Sequence, residues 1–238
     1  GDLFNESVTL FKKVWVQGLI LQLFSVLIML PFIIIFYVPY FELVLENTSN
    51  GVMDSAALGQ ELIDAYGSSL LWIYLVMLLC SLVSYVLNLG FYRIVKQIDH
   101  GQAFVFSELF HFFKAASIGK SFGLAVTHMF ISILATLLCF LPIIYAIVPL
   151  MFLLPVFAYN SDLSISEIVK VSFTLGNKKW GIVFLTLILN VILIYVIALV
   201  TCGLGTLFVS CFLYLPQYII YKKVIGFDGP KEVVQSID

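Results

Sequence analysis

Four stretches of the chain carry no charged residue: Val14–Phe41 and Ala65–Tyr92, each of 28 residues, Ser121–Ser161, of 41, and Trp180–Tyr221, of 42. Within them apolar side chains fall on every face, as in Leu185-Thr186-Leu187-Ile188-Leu189-Asn190-Val191-Ile192-Leu193-Ile194. A half-buried strand would alternate, and a strand of a lipid-embedded barrel would alternate too, so these runs predict helices apolar all round. A bilayer core of about 30 Å takes roughly 20 helical residues. Each 28-residue run therefore holds one crossing, and each longer run has room for two if a turn falls near its middle. Leu141-Pro142 supplies a turn in the first, because proline disfavours helix before it and lacks a donor. Cys202-Gly203-Leu204-Gly205 supplies one in the second, where glycine reaches left-handed conformations. Six helices follow, at about 14–38, 69–91, 120–141, 143–160, 180–201 and 206–222.

Composition agrees. Hydrophobic residues make up 62% of the 238, charged residues 11%, and the mean hydropathy is +1.09, against about 25% charged in an ordinary soluble domain. The positions of the charges add orientation. All twelve Lys and Arg fall before helix 1, between helices 2 and 3, between helices 4 and 5, or after helix 6. The 39–68 segment has Glu42, Glu46, Asp54, Glu61 and Asp64 and no basic residue. It also holds a predicted short helix, Asp54–Tyr66, ending at Gly67. The positive-inside rule then puts both termini in the cytoplasm. The expected location is the inner membrane of a bacterium, and no cleavable signal peptide is expected.

An internal pattern groups the helices. Ser7-Val8-Thr9-Leu10-Phe11-Lys12-Lys13-Val14-Trp15 aligns with Ser172-Phe173-Thr174-Leu175-Gly176-Asn177-Lys178-Lys179-Trp180 at an offset of 165, and a looser copy runs from Ser107 to Ser121. Lys12, Lys13, Trp15, Lys178, Lys179 and Trp180 are the expected interfacial anchors, since aromatic rings and lysines sit at headgroup level. The segments ahead of each copy, with Ile168, Val171, Phe173 and Leu175 or Phe104, Phe106, Leu109, Phe110, Phe112 and Phe113, are expected to lie on the leaflet as amphipathic helices. The expected fold is all-α: a polytopic membrane protein of six transmembrane helices in three helical-hairpin repeats, each preceded by a short amphipathic interfacial helix. One membrane domain covers 1–223, with hairpin units at about 1–91, 104–160 and 164–222, and 224–238 is a cytoplasmic tail.

Leu163-Ser164-Ile165-Ser166-Glu167-Ile168-Val169-Lys170-Val171-Ser172-Phe173 leads into Asn177-Lys178-Lys179-Trp180; a Gly203-Leu204-Gly205 hairpin and a closing Tyr221-Lys222-Lys223-Val224 follow. This pattern resembles an uncharacterised family of six-helix bacterial inner-membrane proteins, similar to the membrane domain fused to some glycerophosphoryl diester phosphodiesterases. The resemblance implies the six-helix fold and the inner membrane, and carries over no catalytic residue.

Candidate chemistry is sparse. No Asp, Glu, Lys or Arg lies in the predicted cores, which argues against an acidic ion-coupling relay. Gln22, Asn88, His128 and Gln217 lie roughly 8–14 Å inside the lysine-bearing face and Asn190 near the midplane. These five either line a cytoplasm-facing polar cavity or hydrogen-bond between helices. Pro31, Pro149, Pro155 and Pro216 read as kinks. The histidines share no ligand spacing and Cys80, Cys139, Cys202 and Cys211 form no CxxC pair, so no catalytic site, metal or cofactor is expected. Expected partners are membrane lipids and a protein partner in a membrane complex, not nucleic acid. Two functions stay open: a non-catalytic scaffold, assembly factor or partner subunit, or a transporter or lipid-handling protein.

Overall fold

The computed structural model describes residues 2–49, 55–138 and 141–227. Among them every regular element is helical: α1 (Asp2–Phe32), a π-helical turn (Ile33–Tyr37), α2 (Val38–Ser49), α3 (Ser55–Tyr66), α4 (Leu70–Asp99), a 3₁₀ segment (Phe106–Phe113), α5 (Ala115–Leu137), α6 (Leu141–Tyr159), α7 (Ile165–Val200), α8 (Thr206–Val209), a second 3₁₀ segment (Ser210–Tyr214) and α9 (Leu215–Val224). Five helices are long and apolar enough to cross a membrane: Asp2–Ser49, Leu70–Asp99, Ala115–Leu137, Pro142–Tyr159 and Ile165–Val200. The stretch predicted as a sixth, 206–222, is helical in three pieces, α8, the 3₁₀ segment and α9. The expected tail beyond Phe227, Asp54 and Cys139 lie outside the described residues.

The chain divides into two compact units, one of Gly1–Leu23 with Tyr85–Asp238 and one of Phe24–Ser84. In the second, the first helix does not stop at residue 38 as the charge pattern predicts; it runs on to Ser49 through the π turn. Pro31 and Pro39 flank that turn. A proline ring clashes with the carbonyl four residues earlier, and a widened turn absorbs the misfit without ending the helix. Phe36 stacks between Phe32 (5.7 Å) and Tyr40 (6.1 Å) and meets Tyr66 at 5.4 Å. Asn47 donates to Glu61 at 2.6 Å, tying α2 to α3. The predicted short helix at 54–66 is α3.

The larger unit has a dense core around α6. In the 18-residue apolar windows of the other four helices 6–22% of residues are buried, in that of α6 61%. Phe152, Leu153, Val156 and Phe157 have no exposure. The first half of α7 lies along α6 with Ile168, Val171, Ser172, Leu175 and Gly176 buried. At Gly176 a Cβ would come within 2.7–2.9 Å of the Pro149 backbone and ring, so the two helices touch backbone to backbone. Gly90 does the same for the 3₁₀ segment, where a Cβ would collide with the Leu109 carbonyl.

Two expectations change. The segments ahead of the first and third copies are not separate helices on a leaflet. Residues 2–13 continue unbroken into α1, and 165–178 continue into α7 with only a kink at Lys179 (φ −121°, ψ 15°). Their apolar faces, Ser7 with Leu10 and Ser172 with Leu175, are buried in protein. No proline or cap falls at either junction, so keeping the backbone ladder intact costs less than breaking it. Only the middle segment stands apart, ended by extended backbone at Lys114.

The second change is one of depth. Trp180 Nε1 donates to the Tyr145 carbonyl at 3.0 Å, and the Tyr145 hydroxyl donates to Asn177 at 2.6 Å. Trp180 was expected at the cytoplasmic face and Tyr145, four residues beyond the Leu141-Pro142 turn, near the opposite one. Both placements cannot hold. The start of α6 lies beside Asn177 and Trp180, at the level of Lys178 and Lys179.

Overpacking a backbone contact costs about 1–3 kcal/mol. Gly176→Ala should therefore lower stability by that amount in detergent thermal unfolding. Gly181→Ala in the same helix meets nothing within 4 Å and should be neutral or about 1 kcal/mol stabilising.

Candidate functional site: the basic, tyrosine-walled end of the larger unit

The ends of α4, α6 and α9 and the start of α1 gather most of this unit's ion pairs. Lys222 pairs with Asp99 at 2.6 Å, and the Tyr218 hydroxyl donates to the same carboxylate oxygen at 2.6 Å. Lys223 pairs with Glu6 at 2.5 Å, closing the C-terminal helix onto the first one. Arg93 Nε donates to Glu108 at 2.6 Å. Between these pairs stand tyrosines: Tyr159 meets Tyr221 at 5.1 Å, Tyr218 at 6.1 Å and Tyr92 at 6.4 Å. Their apolar bodies pack while their hydroxyls find partners, as buried tyrosines require. Tyr159 donates to the Tyr92 carbonyl at 2.6 Å, and Asn160 donates to the Tyr221 hydroxyl at 2.6 Å.

Two clefts open on this end. The first, about 350 Å³, is lined by Glu6, Lys13, Asp99, Tyr218, Lys222 and Lys223 among others, and its carboxylates neutralise two of its three lysines. The second, about 310 Å³, is lined by Arg93, Lys96, Gln97, His100, Gln102 and Tyr159 with Ala158. Positions 93, 96, 97 and 100 are one face of α4 at i, i+3, i+4 and i+7.

Glu108 anchors the second cleft from outside. Partial burial pushes its carboxyl upward, but the Arg93 hydrogen bond and charge, helped by His111 and Lys114, outweigh burial and hold it below its ordinary 4.5. Burial first, then the Arg93 and Lys114 charges, push the neighbouring His111 imidazole down from 6.5 against the pull of Glu108.

The five polar residues expected inside the helices do not share a site of this kind, and none lines either cleft. Gln22 accepts from the Ser210 hydroxyl at 3.0 Å, and Asn88 hydrogen-bonds Tyr214. Both thus hold the 3₁₀ segment between α8 and α9. His128 meets the Tyr85 ring edge-on at 5.3 Å, with Nδ1 buried and unpartnered. Gln217 donates to the Met151 sulfur at 3.6 Å. Asn190 is 1% exposed with no partner for Oδ1. Of the expected anchors, Lys12, Lys13, Trp15, Lys178 and Lys179 are exposed, while Trp180 stacks on Phe184 at 4.6 Å. Sequence reading missed the cleft on α4, although the spacing of Arg93, Lys96, Gln97 and His100 on one helical face was available to mark it. Among the described residues no group of three or more His, Cys, Asp or Glu could hold a metal ion.

These features define an all-helical membrane protein, with most of the ion pairs of the larger unit gathered at one end of it. No family model, curated protein or solved structure matches the chain.

The folded Glu108 value lies below the unfolded one, so its pair with Arg93 contributes stability above pH 4.5 and loses it as the pH falls through the folded value. Glu108→Gln should melt below the parent protein near neutral pH, and the two melting curves should converge well below pH 4.5. A difference that stays constant with pH would mean the pair contributes nothing.

Proposed function

We propose that the chain is a non-catalytic integral protein of a bacterial inner membrane, a scaffold, assembly factor or partner subunit, with both termini cytoplasmic. The observation that carries the reading is the contrast between its surfaces. Along α7, Tyr195, Leu199 and Val200 are 68–81% exposed with no polar face among them, which only lipid or another apolar surface can cover. By comparison, charged side chains pair across chain segments at one end: Glu6 with Lys223, Asp99 with Lys222 and Arg93 with Glu108. Membrane lipids and a protein partner are the ligands this arrangement suits. The sequence resemblance to the phosphodiesterase-associated membrane domains favours the same location, and Ser7 with Ser172 and Leu10 with Leu175, equivalent in the repeat and buried alike, favour a duplicated origin for the first and third units.

Six crossings and four both keep every lysine on one side. The Trp180–Tyr145 bond favours four, with α5–α6 as a hairpin that stays on the cytoplasmic side without crossing, the start of α6 at the level of Lys178 and Lys179. The 136–145 segment supports it: TLLCFLPIIY holds nothing charged and little that is polar at its turn, and Leu137 and Leu138 are exposed. A loop emerging into water is normally polar. The second reading, a lipid-handling protein, is favoured by the cleft on α4.

Compartment-sensitive reporters at Glu46 and at Val224 should report opposite sides, and a common side would overturn the orientation. In a chain with its native cysteines replaced by serine, Leu138→Cys should resist a membrane-impermeant maleimide applied from the periplasmic side. Labelling there would restore the count to six.

A further inference from the structure

We propose that the outward face of α2 is a docking surface for a basic amphipathic helix of another protein. The inference rests on the membrane reading in one respect: in that reading the bilayer keeps the chain's own lysines on the other side, away from this face.

The first ground is an apolar stripe that the smaller unit leaves bare. Val38, Phe41 and Leu45 fall at i, i+3 and i+7, on one side of the helix, and are 47–61% exposed. Among the described residues of α2 none is buried. Its opposite side is occupied. Tyr40, Leu43, Val44 and Asn47 are half-buried, Tyr40 stacks on Phe36 at 6.1 Å, and Asn47 donates to Glu61 of α3 at 2.6 Å.

Hydrocarbon explains exposed apolar side chains elsewhere in the chain, and it does not explain these. The charge-free run ends at Phe41, and Glu42 and Glu46 follow on the same side of α2. Unpaired carboxylates do not stay in hydrocarbon, so Leu45, between the two, stands outside it. A contiguous apolar row left bare there marks a contact with another molecule. Apolar side chains at this spacing are what a partner helix packs along.

Charge decides which partner. Glu42 and Glu46 are exposed, and among the described residues neither carboxylate has a partner. Each directly follows a stripe residue, Phe41 or Leu45, and charges flanking an apolar seam are what select a partner helix. Segment 39–68 holds no basic residue to answer them. Lysines or arginines beside the apolar seam of an incoming helix do. A second copy of this face would set acids against acids, which is unfavourable. A helix lying on a lipid surface carries Lys and Arg on its polar side, and α2 carries acids alone.

Purified protein in uncharged detergent is titrated with three labelled synthetic peptides, each about 20 residues long so that a helix can form, and fluorescence anisotropy is followed. One has a leucine seam flanked by lysines, one the same seam flanked by glutamates, and one the same lysines with the leucines dispersed. The first alone should bind, and less tightly as salt is added. Phe41→Ala or Leu45→Ala should raise its dissociation constant by about tenfold, the loss of one interface anchor. Glu42→Lys combined with Glu46→Lys should exchange the preference, so that the glutamate-flanked peptide binds, a gain that unfolding cannot produce. Leu199→Ala, exposed on α7, should change nothing. No binding of the lysine-flanked peptide, equal binding of the dispersed one, or binding that these α2 variants leave unchanged overturns the proposal. In liposomes, with the native cysteines replaced by serine, a fluorophore attached through Leu45→Cys should be quenched by iodide in the water more than by a lipid-tethered quencher. The reverse order assigns the face to lipid and also overturns the proposal. The peptide titration is made in micelles, so its failure is independent of the topology reporters.

Discussion

The larger unit is organised by the burial of α6. Several parts of that unit fold back onto it: α7 through Gly176 on Pro149, the first 3₁₀ segment through Phe112 on Phe157 at 5.1 Å, α4 through the Tyr92 carbonyl on Tyr159, α9 through Gln217 on Met151 and α5 through the Lys120 ammonium, 5.7 Å from the centre of the Phe157 ring. A helix enclosed in this way cannot carry a charge without a partner, and α6 carries none. Its prolines serve the same end. Pro149 has no N–H to lose, and its flat ring lets the α7 backbone come close enough for glycine to be the residue that fits.

From this burial follows the failure of the simplest topological picture. Hydropathy measures whether a helix tolerates an apolar surrounding, and it reads the same whether that surrounding is lipid or protein. Residues 142–159 qualify as a span on composition, yet most of that helix is enclosed by its own chain. Residues 165–178 look amphipathic enough to lie on a leaflet, yet their apolar face is spent on α6. Period and composition located nearly every helix, including α3 and the turn at Cys202–Gly205, where Cys202 (φ 50°) and Gly203 (φ 87°) take left-handed backbone. They could not tell which face of each helix meets protein, and depth depends on that.

The charged end was legible only in part for a related reason. That lysines collect on one side is visible in their order along the chain. Which of them remain available is not, because the neutralising partners come from far away: Glu6 meets Lys223 across 217 positions and Asp99 meets Lys222 across 123. The polar residues inside the helices show the same limit. Gln22 and Asn88 stand on different helices at similar depth, which suggested a shared cavity. Their partners, Ser210 and Tyr214, are one turn apart on a segment whose pairing no periodicity reveals.

Once those distant pairs form, the two clefts cease to be equivalent. The one beside α1 has turned its own acids onto its lysines, and ion pairs this exposed add little to stability and less to the outward field. The one on α4 keeps its acid, Glu108, behind the arginine rather than in the opening. Between them stands a wall of tyrosines whose hydroxyls are largely committed to backbone, asparagine and aspartate, so the wall presents ring surface and very few free donors.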